Sequence, residues 1–299
     1  MKKTIFLLLA LLIAGQSWAE NFAEKVRRNL YENPRYVVVV AHRGDWRTSP
    51  ENSLQAFQNC IDMGVDMVEI DVRRTSDGVL VVMHDNTLDR CSNGTGKISD
   101  HTYAELQKLN LKSQHGVTTR HKIPTLEETL NLCKDKILIN VDKGYDYFQE
   151  VLQLTEKTGT TQQVIIKSGK MPEQVLAENA DVIKKAIYMP IISLDGKNAA
   201  MQVEENLKLN PVAIECCFKK YSPQVESLLQ RIRQAGVKVW INSLWPSLCD
   251  GHDDDRAVEM KEPDESWGWI LDRGATLIQT DRPKELIQYL KKRKAHKLK

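Results

Sequence analysis

The chain has 299 residues, in which 42 basic side chains nearly balance 40 acidic ones and 41% of residues are apolar. This composition excludes a disordered or a fibrous chain. The net charge of +2 also argues against a nucleic-acid partner, because dedicated nucleic-acid binders carry a large basic surplus. The length suits one large core or two modest ones.

The first 19 residues have the pattern of a cleavable signal peptide. Lys2 and Lys3 precede an apolar run from Ile5 to Ala14, and small residues precede a cut after Ala19. The run is about half of the roughly 20 residues that span a bilayer. We therefore expect a periplasmic or secreted protein without stable membrane insertion after cleavage, and an uncleaved anchor is the alternative.

Short apolar runs then alternate with amphipathic stretches, and the runs lack the polar alternation of half-exposed strands. The eight expected strands are Tyr36–Ala41, Met67–Val72, Ile137–Asp142, Val164–Lys167, Ala186–Met189, Val212–Cys216, Val237–Ile241 and Thr276–Gln279. Eight strand-and-helix units predict an α/β fold, a (β/α)₈ TIM-type barrel. A doubly wound open sheet is the alternative, but no glycine-rich phosphate loop follows any strand.

Local signals place two helix starts and one hairpin. Ser49 and Pro50 predict the start of a helix that ends at Gly64, and residues 125–128 form a capping box. Asp77-Gly78 predicts a β-hairpin after the second strand. If the turn is centred between Ser76 and Asp77, the numbers of paired residues sum to 153, and Glu69 then lies opposite His84.

The remaining segments interrupt or follow this alternation. A small insertion is expected at about 86–122, and an acidic one at 250–267. The barrel domain then spans 20–290, and its net charge is −6, because residues 291–299 carry six basic side chains and no acid. We interpret this basic tail as a solvated helix end, with weak membrane or polyanion contact as the alternative. The six cysteines are sparse, and no essential disulfide is expected.

Polar residues gather at the carboxyl ends of the expected strands, where barrels build their catalytic face. They are His42, Arg43, Glu69, Asp71, Asp142, Lys143, Lys167, Glu215 and Asn242. One polar residue at a strand end is commonly a cap or a loop contact. Titratable or amide groups at six of the eight ends indicate a functional site.

Glu69 and Asp71 are two residues apart on one strand, so both side chains point into the barrel. Two buried carboxylates repel each other unless a cation compensates. Asp142 on the adjacent strand adds a third oxygen donor, and an all-oxygen site predicts one divalent cation, Ca²⁺ or Mg²⁺. The alternative is a salt-bridge network with Arg43, Arg73 or Lys143.

His42 and His84 are the natural proton-transfer pair, because histidine titrates near neutral pH. We expect the other five histidines to lie on the surface: His101, His115, His121, His252 and His296. Two histidines, a hard cation and nearby Arg or Lys side chains suit nucleophilic attack at phosphorus.

At these residues the sequence resembles the glycerophosphodiester phosphodiesterase family over nearly the whole chain after residue 19. The matching motifs are residues 41–44 (AHRG), 50–53 (PENS), 68–72 (VEIDV), 75–78 (TSDG), 84–90 (HDNTLDR), 124–128 (PTLEE) and 279–283 (QTDRP). Each is weak alone, but their order and spacing make a specific signal.

The resemblance implies a barrel enzyme that hydrolyses glycerophosphodiesters to glycerol 3-phosphate and an alcohol with a divalent cation, Ca²⁺ or Mg²⁺. It assigns acid–base roles to His42 and His84 and metal ligation to Glu69, Asp71 and Asp142. Arg43 then contacts phosphate. The family mechanism lets the substrate's glycerol hydroxyl attack phosphorus, and water opens the resulting cyclic phosphate.

Two stretches depart from the family pattern. The family's Glu-x-Lys is replaced by Asp142-Lys143-Gly144, so either Lys143 or Lys167 is expected to supply the phosphate-facing charge. The family's Trp-Thr-Val-Asn is shortened here to Trp240-Ile241-Asn242, which leaves the substrate contacts of Trp240 and Asn242 open. Supporting roles are expected for three more residues, Glu51, Asn52 and Glu215.

Two other functions remain open from the sequence. A lysophospholipase D or phospholipase C-like enzyme would need an apolar rim, for which Trp245, Trp267 and Trp269 are candidates. A barrel that binds phosphodiesters without catalysis would usually have lost a histidine or a metal carboxylate, and none is missing here. The head-group preference and the oligomeric state stay open.

Overall fold

The computed structural model describes residues 20–298, so the predicted signal peptide lies outside the described residues. Its helices, α1 to α11, are Phe22–Glu32, Leu54–Met63, Tyr103–Leu106, Leu126–Cys133, Phe148–Thr158, Pro172–Lys185, Ala199–Leu207, Pro223–Gln234, Asp254–Val258, Trp269–Asp272 and Pro283–Lys292. Its strands, β1 to β9, are Val38–His42, Met67–Arg74, Leu80–Val82, Leu138–Asp142, Val164–Ser168, Ile187–Ser193, Ala213–Cys217, Lys238–Asn242 and Ala275–Thr280.

Eight of these strands form a closed parallel barrel. Their order is β1, β9, β8, β7, β6, β5, β4, β2, and β1 pairs with β2 to close the ring. The predicted (β/α)₈ barrel is therefore confirmed, and each predicted strand overlaps an observed one. The largest difference is in β6, which continues beyond Met189 to Ser193. No helix among residues 20–298 has the length and apolar character that crossing a bilayer requires.

The alternation along each strand divides the apolar residues into two cores. Ile70 belongs to the larger core between the barrel and its helices. Met67, Leu138, Trp240 and Leu277 point inward and form a smaller core inside the barrel. Helix α1 adds its apolar face to this inner core, so the amino end of the barrel is closed by packed side chains.

The antiparallel hairpin of β2 and β3 is present, but its predicted register is wrong by one residue. Val72 pairs with Val82 and Arg74 with Leu80, so partner numbers sum to 154 rather than 153. The turn around Gly78 is held by Thr75, whose backbone N–H donates to the Val79 carbonyl. That bond sets the register, and residue types alone do not reveal it.

The start of α2 was also predicted wrongly. Ser53, not Ser49, caps the helix by accepting a hydrogen bond from the Ala56 N–H at 3.1 Å. Both residues are good capping types, and only the tertiary path of the chain selects one of them. The predicted end at Gly64 and the capping box of Thr125 and Glu128 are confirmed.

His296, expected on the surface, packs against the barrel instead, and only 8% of its side chain is exposed. Its ring stacks on Tyr36 with centroids 5.1 Å apart, and its Nδ1 lies 3.5 Å from Asp66 Oδ2. The Val37 N–H donates to the Ala295 carbonyl at 2.9 Å, so this part of the basic tail lies against the barrel's amino end. The basic residues 291–294 and 297 are exposed, as a solvated helix end requires, whereas Ala295 and His296 between them contact the barrel.

Candidate functional site

A sharp turn after β1 positions the first two functional residues. Arg43 and Gly44 both have left-handed backbones, with φ of 55° and 77°. Glycine suits the second position, because a Cβ there would come within 2.9 Å of the Ala56 Cβ. The turn aims the Arg43 N–H at Glu69 Oε2, 3.1 Å away.

Three carboxylates converge inside the barrel, two from the middle of β2 and one from the end of β4, as the strand spacing predicted. Carboxylate oxygens of Glu69, Asp71 and Asp142 all lie within 4.8 Å of one another. Asn52 fixes Asp71 from both sides, since its amide donates to Asp71 Oδ2 at 2.9 Å and its carbonyl oxygen accepts from the Asp71 N–H at 3.3 Å. The arrangement can hold a metal ion through oxygen ligands.

Glu69 is the carboxylate with the strongest need for a cation. Burial raises its pKa well above the usual range, and the nearby charges of Asp71 and Asp142 raise it further. Among residues 20–298, no Lys, Arg or His side chain lies within 4.0 Å of its carboxylate. Asp142 differs: Lys167 and Lys143 outweigh its burial and lower its pKa.

The salt bridges predicted as an alternative are present around Asp71. Arg43 Nε lies 3.5 Å from Asp71 Oδ2, and Lys143 Nζ lies 3.7 Å from Oδ1. Lys143 achieves this with a left-handed backbone, φ 54°, which turns its side chain back toward the barrel. Arg73 is directed elsewhere, because its guanidinium donates to the His84 carbonyl at 2.5 Å.

Lys167 is buried deep in the site beside Glu215. Its ammonium donates to Glu215 Oε2 at 2.9 Å and lies 3.5 Å from Asp142 Oδ2. Glu215 also accepts from the Asn242 amide at 2.8 Å, and Asn242 in turn accepts from the Trp240 indole at 2.7 Å. Trp240 is fully buried in the inner core. These four residues form a connected group that contacts the carboxylate cluster through Asp142, and we call this group the lysine layer.

Each of the two histidines is held by an aspartate. His42 Nδ1 lies 2.8 Å from Asp281 Oδ1, and His84 Nδ1 lies 2.6 Å from Asp85 Oδ1. Burial lowers the pKa of His84, although the charge of Asp71 opposes this shift. A partner on Nδ1 leaves Nε2 free to exchange a proton with a ligand.

Four residues around these histidines had no role in the sequence interpretation: Trp46, Asp85, Arg90 and Asp281. The Trp46 indole donates to Asp281 Oδ1 at 2.7 Å. Arg90 donates to both Asp85 and Glu51, and Glu51 also accepts from Arg43 at 3.1 Å. Asp85, Arg90 and Asp281 stand in the quoted motifs 84–90 and 279–283, whereas nothing in the sequence singled out Trp46.

A cavity of about 400 Å³ opens at this end of the barrel. Its lining includes His42, Arg43, Trp46, Glu51, Arg90, Cys91, Lys112, Ser113, Gln114, Gly116, Trp245 and Asp281. The segment 112–116 comes from the insertion, so this insertion contributes one wall. The volume of the cavity suits a small molecule.

The three tryptophans considered for an apolar rim differ in exposure. Trp245 lines the cavity, and 41% of its surface is exposed. Trp267 is buried, and Trp269 stacks on His252 with ring centroids 3.6 Å apart. Only the first of these three therefore lies at the mouth of the cavity.

Fold and site together define a (β/α)₈ barrel with an acidic, metal-type cluster and two aspartate-held histidines at its carboxyl end. Several known proteins similar to this chain are named glycerophosphodiester phosphodiesterases. A glycerophosphodiester phosphodiesterase of Caldanaerobacter subterraneus subsp. tengcongensis is 43% identical over 107 residues, which cover 35% of this chain and 44% of that relative's length. Such relatives support the resemblance found in the motifs, and the chain spans less than half the length of the curated relatives it matches.

Solved structures extend the similarity over most of the chain. A glycerophosphoryl diester phosphodiesterase from Parabacteroides distasonis matches with a TM-score of 0.75 and 28% identity, covering 91% of this chain and 92% of that one. An Oleispira antarctica phosphodiesterase in complex with the product sn-glycerol-3-phosphate shares the fold, with a TM-score of 0.64 and 19% identity over 86% of this chain and 97% of its own. A family model described as a domain of unknown function matches residues 188–290.

Proposed function

We propose that this protein hydrolyses glycerophosphodiesters to glycerol 3-phosphate and an alcohol. One observation carries the proposal: an acidic cluster and two aspartate-held histidines converge at the carboxyl end of one barrel. Relatives with that named activity support it, although the first of them is matched over only 44% of its length.

One divalent cation, Ca²⁺ or Mg²⁺, is part of the proposal, and Glu69, Asp71 and Asp142 would hold it. The residues fit this group, because three oxygen donors converge and Glu69 is buried without a cationic partner within 4.0 Å among residues 20–298. When bound, the cation supplies positive charge against the phosphoryl oxygens.

His42 and His84 then divide the proton transfers. The lowered pKa of His84 favours its neutral form, so His84 Nε2 takes the proton from the attacking hydroxyl. His42, oriented by Asp281 and Trp46, protonates the leaving alcohol through its Nε2. In the proposed route the substrate's own glycerol hydroxyl attacks first, and water then opens the cyclic phosphate with the two roles reversed.

Arg43 and Lys143 are the cations proposed to face the phosphate. Arg43 Nε is buried and makes no hydrogen bond among the described residues, although it lies 3.5 Å from Asp71 Oδ2, so its N–H can donate to a ligand oxygen. The Lys143 side chain is 29% exposed, whereas Lys167 is 2% exposed and paired with Glu215. Lys167 is therefore assigned to the lysine layer, and Trp240 and Asn242 to its support rather than to the substrate.

The test is release of glycerol 3-phosphate by purified protein, with Ca²⁺ or Mg²⁺ and a panel of glycerophosphocholine, glycerophosphoethanolamine and glycerophosphoinositol. We expect turnover that is lost with chelator and restored by the cation. Lysolipids form a second arm, because Trp245 offers one exposed aromatic at the cavity mouth. No turnover of any diester by cation-loaded protein would refute the proposed function.

A periplasmic or extracellular location is proposed from the leader pattern of residues 1–19. Expression of the full chain in a Gram-negative host, followed by fractionation and amino-terminal sequencing, tests it. The expected product begins at Glu20 and lies outside the cytoplasm. A product that retains Met1 in the membrane fraction would support the uncleaved anchor instead.

A further inference from the structure

One buried carboxylate outside the predicted site joins three segments at the catalytic end of the barrel. Asp254, in the acidic insertion at the start of α9, is 1% exposed. Its Oδ1 accepts hydrogen bonds from Ser243 Oγ at 2.6 Å, from the Trp267 indole at 2.8 Å and from Thr280 Oγ1 at 2.9 Å. The donors come from the end of β8, the insertion and the end of β9.

The other oxygen of this carboxylate acts directly on the residue that holds His42. Asp254 Oδ2 accepts from the Asp281 N–H at 2.6 Å. Asp281 Oδ1 in turn receives hydrogen bonds from the Trp46 indole at 2.7 Å and from His42 at 2.8 Å. A continuous hydrogen-bonded chain therefore runs from the insertion through Asp254 and Asp281 to the imidazole.

We propose that Asp254 is a positioning residue, which fixes the Asp281 backbone so that its carboxylate orients His42 for proton transfer. This inference rests on the proposed function, because it assigns His42 the role given above. Positioning residues act by holding the reacting group within a narrow geometry, and a small displacement costs rate rather than substrate affinity. The acidic insertion thereby becomes part of the catalytic architecture.

The neighbouring Asp253 provides a matched control. It is also buried and lies in the same insertion, where it caps α9 by accepting from the Arg256 N–H at 3.0 Å. It makes no hydrogen bond to Asp281. Loss of either carboxylate disturbs the insertion, but only the loss of Asp254 removes the contact with Asp281.

The experiment compares Asp254→Asn and Asp253→Asn by steady-state kinetics and by ¹H NMR of the proton shared between His42 and Asp281. His42→Ala identifies that downfield resonance by removing it. For Asp254→Asn we expect kcat to fall at least tenfold, KM to stay within about twofold, and the resonance to shift or broaden. For Asp253→Asn we expect both readouts to resemble the wild type.

Equal losses of kcat in the two variants, or an unchanged resonance in Asp254→Asn, would overturn the positioning role. If Asp254→Asn does not fold, Ser243→Ala removes one donor to Asp254 while leaving the carboxylate, and a shifted resonance is expected there too. The NMR readout needs no turnover. A wild-type protein without activity therefore refutes the proposed function and leaves the test of Asp254 intact.

Discussion

The two ends of the barrel use the same strands for opposite purposes. At the amino end, inward residues such as Met67, Trp240 and Leu277 pack as an apolar core under α1. At the carboxyl end, inward residues of the same strands include Glu69, Asp71 and Asn242, all buried and polar. Buried apolar surface stabilises the fold, whereas buried carboxylates oppose it. The residues that stabilise the fold and those that carry the chemistry are therefore separated along the strands.

The largest expected effect comes from a substitution at the polar, carboxyl end of the barrel. Glu69→Gln should reduce glycerol 3-phosphate release by roughly 10³-fold, because it removes a carboxylate from the proposed cation site. The free energy of unfolding should stay equal or rise, since burial and Asp71 disfavour the charged Glu69. Urea titration of the chelated protein and a turnover assay measure both.

Glu150→Gln, an exposed carboxylate paired with Arg74, is the control for this experiment. Glu150→Gln should change neither glycerol 3-phosphate release nor the free energy of unfolding. A Glu69→Gln variant that is clearly less stable in the absence of cation would show that this carboxylate supports the fold.

The second effect comes from a substitution in the apolar core at the amino end of the barrel. Leu277→Ala removes a fully buried side chain from the inner core and should cost about 2–5 kcal/mol of unfolding free energy. We expect kcat/KM of the folded protein to remain within about twofold of the wild type. Leu176→Ala, at an exposed position in α6, should leave stability unchanged. A large loss of kcat/KM in fully folded Leu277→Ala would mean that the amino end of the barrel influences the site at its carboxyl end.

The third effect concerns the polar end of the barrel and distinguishes the two histidines. Asp281→Asn should lower kcat by on the order of 10²-fold, because a largely buried aspartate orients His42. Asp85→Asn should lower it less, since Asp85 is more exposed and water can replace its contact with His84. Steady-state kinetics at saturating cation decide the order. If Asp85→Asn lowered kcat more than Asp281→Asn, the orientation of His84 would limit turnover more than that of His42.

The last expected effect concerns the dependence of stability on pH. Burial raises the pKa of Asp254 to about 7. An acid that holds its proton more tightly when folded stabilises the fold below its unfolded pKa and loses that contribution as pH rises through the folded pKa. The free energy of unfolding should therefore decrease between about pH 4 and pH 7, by at most about 4 kcal/mol.

Denaturant titrations across this range, on wild type and Asp254→Asn, measure the decrease. The variant should show a shallower pH dependence, because the substituted amide does not titrate. Identical slopes in the two proteins would assign the pH dependence to other groups.

Much of this protein follows from its sequence alone, because the relevant forces act between near neighbours in the chain. Uninterrupted apolar runs predicted the parallel strands, and alternation along β2 placed Glu69 and Asp71 on one inward face. The capping box at Thr125 and the helix end at Gly64 are equally local, since each depends on backbone groups within a few residues.

Tertiary structure decided what depends on contacts between distant residues. Asp281 meets His42 across 239 positions, and Lys167 meets Glu215 across 48, so no local pattern could pair them. The hairpin register, the choice of Ser53 as a cap and the packing of His296 also depend on the path of the whole chain. The residue types identified the candidate groups. Their hydrogen-bond and ion-pair partners were determined only by closure of the barrel, which brings the strand ends into one ring.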